Sequence, residues 1–200
     1  MKHLSKGVFL SLLLLTACSK ESTTGDATLK QSELTRFEES LVDLTSEQSF
    51  IFDIEINNDE ITKITGTVDY YENGEFVRQI SNTSSEISEE QNNEETIRVA
   101  LIHQPRNDNE EQWITSFMTE DGHSSGTVEN KIDGKAREKF ASVWGGVNEG
   151  PLTIGQKKVI GVLAYSAKDG LSMANSIETK EDIKRATDYE QVYIISVELR

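Results

Sequence analysis

Residues 64–81, ITGTVDYYENGEFVRQIS, contain the clearest structural signal in the chain and decide its fold class. Two runs rich in β-branched and aromatic residues flank residues 72–75, ENGE, and the Asn-Gly pair tolerates the two positive φ angles of a type I′ turn. The stretch therefore predicts a β-hairpin with a two-residue loop. Such a loop sets the register, and the expected facing pairs are Tyr71 with Phe76, Tyr70 with Val77, and Asp69 with Arg78.

Apolar and polar residues alternate in several further runs, which is the period of a strand with one buried face. The predicted strands lie within residues 50–56, 97–103, 113–117 and 191–199, and residues 124–129 are a candidate for an additional edge strand. Residues 159–165, VIGVLAY, have no polar position, which is typical of a central strand covered on both faces. Residues 140–144 fit either a helix or a strand, and the β pattern around them favours a strand.

Two short helices interrupt this pattern. Residues 35–38, TRFE, have the Thr-x-x-Glu form of a capping box, and a second helical turn is predicted over residues 179–186. The apolar residues of the first helix follow helical spacing at Leu34, Phe37, Leu41 and Leu44. With no βαβ spacing, these elements predict a mainly β fold, an antiparallel two-sheet sandwich of immunoglobulin-like type with one or two short helices. We expect it to form a single domain over residues 32–200.

The N-terminal segment has the features of a targeting signal. A positively charged start precedes an apolar run over residues 8–15, which is too short to span a membrane as a mature helix. Residues 15–18, LTAC, resemble the lipobox of bacterial lipoproteins. The resemblance implies cleavage between Ala17 and Cys18, diacylation of the Cys18 sulfur, and insertion of those acyl chains among membrane lipids. An ordinary secretory signal peptide over residues 1–17 is the alternative.

Charge and composition limit the partners of the mature chain. The sequence has 20 Lys and Arg against 35 Asp and Glu, and removal of residues 1–17 takes away Lys2 and Lys6 but no acidic residue, which leaves a net charge of −17. Such a surface repels nucleic acid and favours a basic partner. Residues 18–31 are mostly small and polar, and we expect them to form a flexible tether after the acylated cysteine.

Residues typical of catalysis are sparse. No Gly-x-Ser-x-Gly elbow or phosphate-binding glycine loop occurs, and His103 and His123 are the two histidines that remain after cleavage. We expect His103 to be a partly buried strand-end residue and His123 to face solvent in a turn, where a metal site shared with Asp121 is the weaker alternative. Residues 86–95, EISEEQNNEE, are best explained as a charged connection, with cation binding as the alternative. The sequence predicts no catalytic residue, no metal and no cofactor.

The two tryptophans and the glycine pairs each have a structural and a functional interpretation. Trp113 alternates with other apolar residues, so the core is its expected place, whereas Trp144 fits either the core or an exposed stacking surface. Gly145-Gly146 and Gly150-Pro151 are interpreted as turns.

A looser set of motifs also occurs over residues 48–200: FDIEINN, DYYENGEFV, Ser-Ser-Gly, SVWGG and VIGVLAY. In this set the chain resembles small surface lipoproteins of Gram-positive Firmicutes, a resemblance that implies no functional residue. We therefore expect a lipid-anchored, extracytoplasmic binding or interaction module on a Gram-positive cell surface. The alternative is an accessory subunit that docks onto an envelope transporter or sensor, and an enzyme is the least favoured hypothesis. Ser19 leaves outer-membrane sorting open if the source is Gram-negative.

Overall fold

The computed structural model describes residues 25–87, 96–120, 122–133, 137–146, 149–168, 170–173 and 176–200. Within them, eleven strands and two helices form two antiparallel sheets that enclose a shared core. The strands are β1 (Ala27–Gln31), β2 (Gln48–Ile56), β3 (Lys63–Glu72), β4 (Glu75–Glu86), β5 (Thr96–Asn107), β6 (Glu110–Met118), β7 (His123–Lys131), β8 (Ala141–Gly146), β9 (Gly150–Leu152), β10 (Lys157–Ser166) and β11 (Gln191–Leu199). The helices are α1 (Arg36–Thr45) and α2 (Lys180–Ala186).

One sheet has six strands in the order β7-β6-β5-β2-β1-β9, and the other has five in the order β4-β3-β11-β10-β8. The predicted antiparallel two-sheet sandwich is therefore confirmed. The alternating residues of β2, β5 and β6 point into the space between the sheets, as the period of two requires. Two of the eleven strands, β1 and β9, are not predicted by the sequence pattern.

The β3–β4 hairpin has the predicted turn. Asn73 and Gly74 have φ angles of 50° and 87°, and Tyr71 lies opposite Phe76. Beyond that pair the predicted register is wrong, because the register shifts between Tyr70 and Tyr71. The β-bulge adds one residue to β4, so that Tyr70 lies opposite Arg78.

The bulge also changes the partners of Asp69. This carboxylate lies opposite Gln79, accepts a hydrogen bond of 3.0 Å from its amide, and forms an ion pair with Lys157. The predicted cross-strand pair of Asp69 with Arg78 is therefore wrong, and Asp69 is buried. Arg78 instead donates a 2.7 Å hydrogen bond to Asn130 of β7.

The predicted tether over residues 18–31 ends earlier than expected. Residues 27–31 form β1, which pairs with both β2 and β9, and the side chains of Ala27 and Leu29 are fully buried. Asp26 accepts a 2.8 Å hydrogen bond from the backbone N–H of Ile154, which fixes the start of the strand. The prediction is wrong here because two apolar residues separated by one threonine are too short a pattern to indicate a strand.

The glycine pairs predicted as turns lie in strands. Gly145 and Gly146 end β8, and Gly150-Pro151 belongs to β9. Proline is compatible with β9 because this strand is at a sheet edge, where an N–H is not needed for pairing.

The five-stranded sheet is covered on both faces. Its inner face contributes Leu163, Tyr193 and Ile195 to the main core, while Val162 and Val192 point outward into a second apolar cluster under α2. This second layer explains the runs without charged residues over 159–165 of β10 and 192–195 of β11, and it confirms the prediction for residues 159–165.

Gly161 is required by packing at a register shift in β10. A Cβ atom at this position would lie 2.2 Å from Cδ1 of Phe50, a ring that is buried between the sheets. The absence of a side chain at Gly161 therefore allows the two sheets to approach at this point.

Candidate interaction surface

Helix α1 has an exposed apolar face. The predicted capping box is present: the hydroxyl of Thr35 accepts from the N–H of Glu38, and the Glu38 carboxylate accepts from the N–H of Thr35. Phe37, Leu41 and Leu44 are 72%, 45% and 82% exposed, and α1 contains no buried residue. The sequence correctly predicts the helix, but its apolar face does not contribute to the core.

Polar contacts attach α1 to the six-stranded sheet. Arg98 of β5 forms a two-point contact with Asp53, with distances of 2.8 and 3.2 Å, and reaches Glu38 of the helix at 3.3 Å. Burial raises the pKa of Asp53, but its hydrogen bonds from Arg98 and Ser32 outweigh that effect and lower it. At the other end of α1, the side-chain amide of Gln104 donates to the carbonyl of Thr45. These contacts position the helix without covering its apolar face.

Exposed acidic residues surround this face. Glu39 and Asp43 lie on the helix, Glu33 precedes it and Glu47 follows it. Arg36 is the basic residue of α1 itself. The surface therefore combines three large apolar side chains with an acidic border.

Two connected grooves extend from the C-terminal end of α1. The first, of about 370 Å³, is lined by Leu44 and shares Glu47, Pro105 and Arg106 with the second. The second, of about 480 Å³, continues across the β5–β6 turn to the beginning of β8. Its lining also includes Asp108, Ile132, Arg137, Glu138, Phe140, Ser142 and Tyr165.

A buried polar cluster lies under the second groove, with Glu111 at its centre. Its carboxylate is fully buried, receives 2.6 Å and 2.7 Å hydrogen bonds from Arg137 and Asn130, and contacts Nε2 of His103 at 2.9 Å. The indole N–H of Trp113 donates to the same carboxylate at 3.3 Å. Every oxygen of this buried anion is thus satisfied, as its burial requires.

The electrostatics of the cluster keep Glu111 ionised. Burial alone raises the pKa of Glu111, but the hydrogen bond from His103 and the charge of Arg137 outweigh burial and lower it to about 2. Burial likewise raises the pKa of Tyr165 and of Tyr193 above the ordinary value. The Arg137 guanidinium lies 4.2 Å from the centre of the Tyr165 ring, and both side chains line the second groove.

Glu111 is a buried acidic residue that the sequence analysis does not single out. The turn between β5 and β6 consists of Asp108 and Asn109 alone, and Glu111 points into the sandwich from β6. Sequence reasoning missed Glu111, although the sequence contains a signal for it. Glu111 is two residues from Trp113, so the alternation of the strand places its carboxylate at a core position. Arg137 follows no strand pattern and is identified as its partner only by the fold.

His103 and His123 lie in unrelated places. His103 is 1% exposed, more deeply buried than predicted, and its Nδ1 faces Gln48 at 3.1 Å. Both of its ring nitrogens are therefore engaged, and the residue does not line the groove. His123 is exposed as predicted, but it begins β7 rather than lying in a turn, beside a 210 Å³ depression that also includes Glu86.

The tryptophans have different environments. Trp113 is fully buried, which confirms its predicted place in the core. The centre of its ring lies 4.8 Å from the ring centre of His103 and 5.2 Å from that of Tyr193. Trp144 of β8 is 50% exposed. Its ring is nearly perpendicular to that of Phe50, with 6.0 Å between the two ring centres.

Several predicted features lie outside the described residues: the signal peptide over residues 1–17, its cleavage site at Ala17 and Cys18, Asp121, and residues 88–95 of the acidic stretch. Within the described ranges, no three His, Cys, Asp or Glu side chains come close enough to hold a metal ion. No helix in the same ranges is long and apolar enough to cross a bilayer.

A family model described as the YgaN domain matches residues 28–199. The match begins within β1 and ends at the last residue of β11, so it covers the sandwich with both helices. No curated protein and no solved structure matches the chain significantly.

Proposed function

The chain belongs to the YgaN domain family, and we propose that it is a lipid-anchored, extracytoplasmic interaction module that docks through α1 onto a basic protein of the cell envelope. The exposed apolar face of α1 carries the proposal. A ten-residue helix is marginal in water by itself, and helices in proteins gain most of their stability from packing an amphipathic face. A partner would supply the packing that the sandwich does not provide.

The acidic residues around the apolar face of α1 favour a protein partner over a lipid surface. Helices that lie in a membrane interface have polar faces rich in Lys and Arg, whereas α1 has Glu38, Glu39 and Asp43 against Arg36. Bacterial membranes with anionic lipids would repel this border, and a basic protein surface with an apolar centre would complement it. Protein docking fits this surface better than the binding of a small ligand does.

Lipid attachment would hold this surface near the membrane. Asp26, the residue bonded to Ile154, lies eight positions after Cys18, and such a chain spans at most about 29 Å. Two acyl chains on Cys18 make attachment effectively permanent. The partner would therefore be an integral or peripheral envelope protein, such as a transporter or sensor that uses this chain as an accessory subunit.

We favour binding over catalysis because the buried cluster is internally satisfied. Glu111, His103 and Arg137 direct their hydrogen bonds at one another and at four neighbouring polar side chains: Gln48, Asn130, Gln191 and Tyr193. The cluster holds the two sheets together at this end of the sandwich.

Photocrosslinking in intact cells tests the docking face. A benzophenone amino acid at Leu41 should form one adduct of fixed mass with a basic envelope protein, in a yield that falls as salt rises. The same label at Glu181, an exposed acidic residue of α2 on the other sheet, should form little or none. Equal labelling at both positions, no adduct, or an adduct with phospholipid from Leu41 would contradict docking through this face.

Metabolic labelling tests the anchor. A clickable fatty acid should label the wild-type chain, and the Cys18→Ala variant should lose the label and the normal lipoprotein processing. Undiminished labelling of that variant would refute lipidation at Cys18.

A further inference from the structure

We infer that β8 is an open sheet edge at which the partner adds an extended, basic segment as a further β-strand. The inference rests on the proposed interaction function and specifies its second point of contact. The observation that supports it is the environment of the sheet edges, and this observation does not involve α1.

Three of the four sheet edges formed by the described residues are protected. Strands β4 and β7 lie against each other: Arg78 donates to Asn130, and a Cβ at Gly126 would lie 2.6 Å from Oγ1 of Thr83. Strand β9 has three residues and contains Pro151. Mutual packing, short length and proline are known ways in which proteins prevent edge pairing.

Strand β8 has none of these protections. Its six residues, ASVWGG, include no charge and no proline, and among the described residues it pairs with β10 alone. Ala141, Ser142, Trp144 and Gly146 are exposed. In an antiparallel edge strand, alternate residues direct their N–H and C=O groups away from the neighbouring strand. These groups specify an extended chain as the occupant.

The second groove adds side-chain selectivity beside the edge. Phe140, Ser142 and Tyr165 lie at its β8 end, which offers an apolar surface to a side chain of the added strand. Three acidic residues line the groove: Glu47, Asp108 and Glu138. Of its two arginines, Arg137 is paired with Glu111, so Arg106 is left to balance their charge. The groove and the acidic surface around it together favour a segment that contains both apolar and basic residues.

The same charge argument disfavours a second copy of this chain at the edge. A net charge of −17 on each mature chain opposes close approach of two copies. A basic segment gains from that field at physiological salt, where it acts over about 8 Å.

Hydrogen exchange of the full chain tests the inference with synthetic peptides. The probe is a seven-residue peptide of alternating Lys and Val at millimolar concentration. Its controls are the matching Glu and Val peptide and the same Lys and Val peptide with a central proline. The probe should slow exchange of alternate β8 amides at least fivefold and leave β9 unchanged. The two controls should give less than a twofold effect.

A pair of serine variants checks where the probe binds. Ser142→Lys places a charge on β8 and should reduce the protection to less than twofold, whereas Ser125→Lys, on the exposed face of β7, should not change it. Absence of β8 protection, or protection that is equal with the proline-containing peptide, would overturn the inference. Protection that rises with protein concentration in the absence of a probe would assign the edge to a second copy and also overturn it.

The two proposals fail separately. Loss of the Leu41 adduct with intact β8 protection would remove docking through α1 and keep the strand-addition site. An adduct at Leu41 without β8 protection would keep the interaction module and remove its second point of contact.

Discussion

The two helices of this protein begin in the same way and end in different environments. Thr35 and Thr179 each form a capping box with the acidic residue three positions later. Helix α2 places Ala186 and Ile183 against the outer cluster of the five-stranded sheet. Helix α1 places none of its residues in a core. Capping and periodicity therefore determine where a helix forms, and the surrounding fold determines whether its apolar face is a structural or a binding surface.

The largest expected difference between the helices is in the cost of an introduced charge. Ala186→Asp places a carboxylate without a counter-ion in the outer cluster, so we expect the free energy of unfolding to fall by about 3 kcal/mol or more. Leu44→Asp changes a residue that is 82% exposed and should alter it by less than about 0.5 kcal/mol. Urea denaturation of both variants measures this difference, and a large loss at Leu44 would mean that α1 is structural.

A buried and an exposed carboxylate should also differ in how much their removal lowers the free energy of unfolding. Glu111→Gln leaves Arg137 without its buried counter-charge and should cost about 3 to 5 kcal/mol. Asp43→Asn on exposed α1 should cost less than about 0.5 kcal/mol. Denaturation at pH 7 checks both values, and a small effect at Glu111 would contradict its role in joining the sheets.

The Glu111 effect should depend on pH in a defined direction. Its pKa is lowered from 4.5 to about 2 in the folded chain, so its contribution to stability is complete above about pH 4.5 and is lost as the pH falls towards 2. The stability difference between wild type and Glu111→Gln should therefore shrink between pH 5 and pH 2. A difference that stays constant over this range would show that Glu111 is not held ionised by its partners.

Removal of the helix caps should have the smallest effect. Thr179→Ala should lower the unfolding free energy by about 1 kcal/mol, because fraying of α2 exposes the outer cluster. Thr35→Ala should unfold α1 locally, with faster amide exchange in residues 36–45 and little change in the global melting temperature. Equal shifts of melting temperature in both variants would mean that α1 folds cooperatively with the sandwich.

Local signals in the sequence were sufficient for most of the strands and both helices. The Asn73-Gly74 turn follows from the φ angles that these residues tolerate, and the strands over residues 50–56 and 159–165 follow from the period of their apolar positions. Each of these features depends on residues close together in the chain. The register beyond Tyr71 was not predictable in this way, because a bulge depends on what the facing strand and the opposite sheet require.

The candidate surface depended much more on the fold. The apolar face of α1 is visible as a period of 3.6, but this larger apolar face is exposed, whereas the smaller apolar face of α2 is covered. Glu111 and Arg137 are 26 residues apart and meet only because β6 and the segment before β8 converge at one end of the sandwich.

The sequence by itself determined the mainly β class, the hairpin turn, the two capped helices and an acidic surface, and it predicts the lipid anchor at Cys18. Those properties follow from backbone preferences, capping and net charge, which act within a few residues or over the whole composition. Only the tertiary structure decided that α1 is exposed, that Glu111 is buried and paired, and that β8 is an edge strand of its sheet among the described residues. Burial and edge position depend on which distant strands become neighbours, and long-range pairing is not encoded in any local pattern.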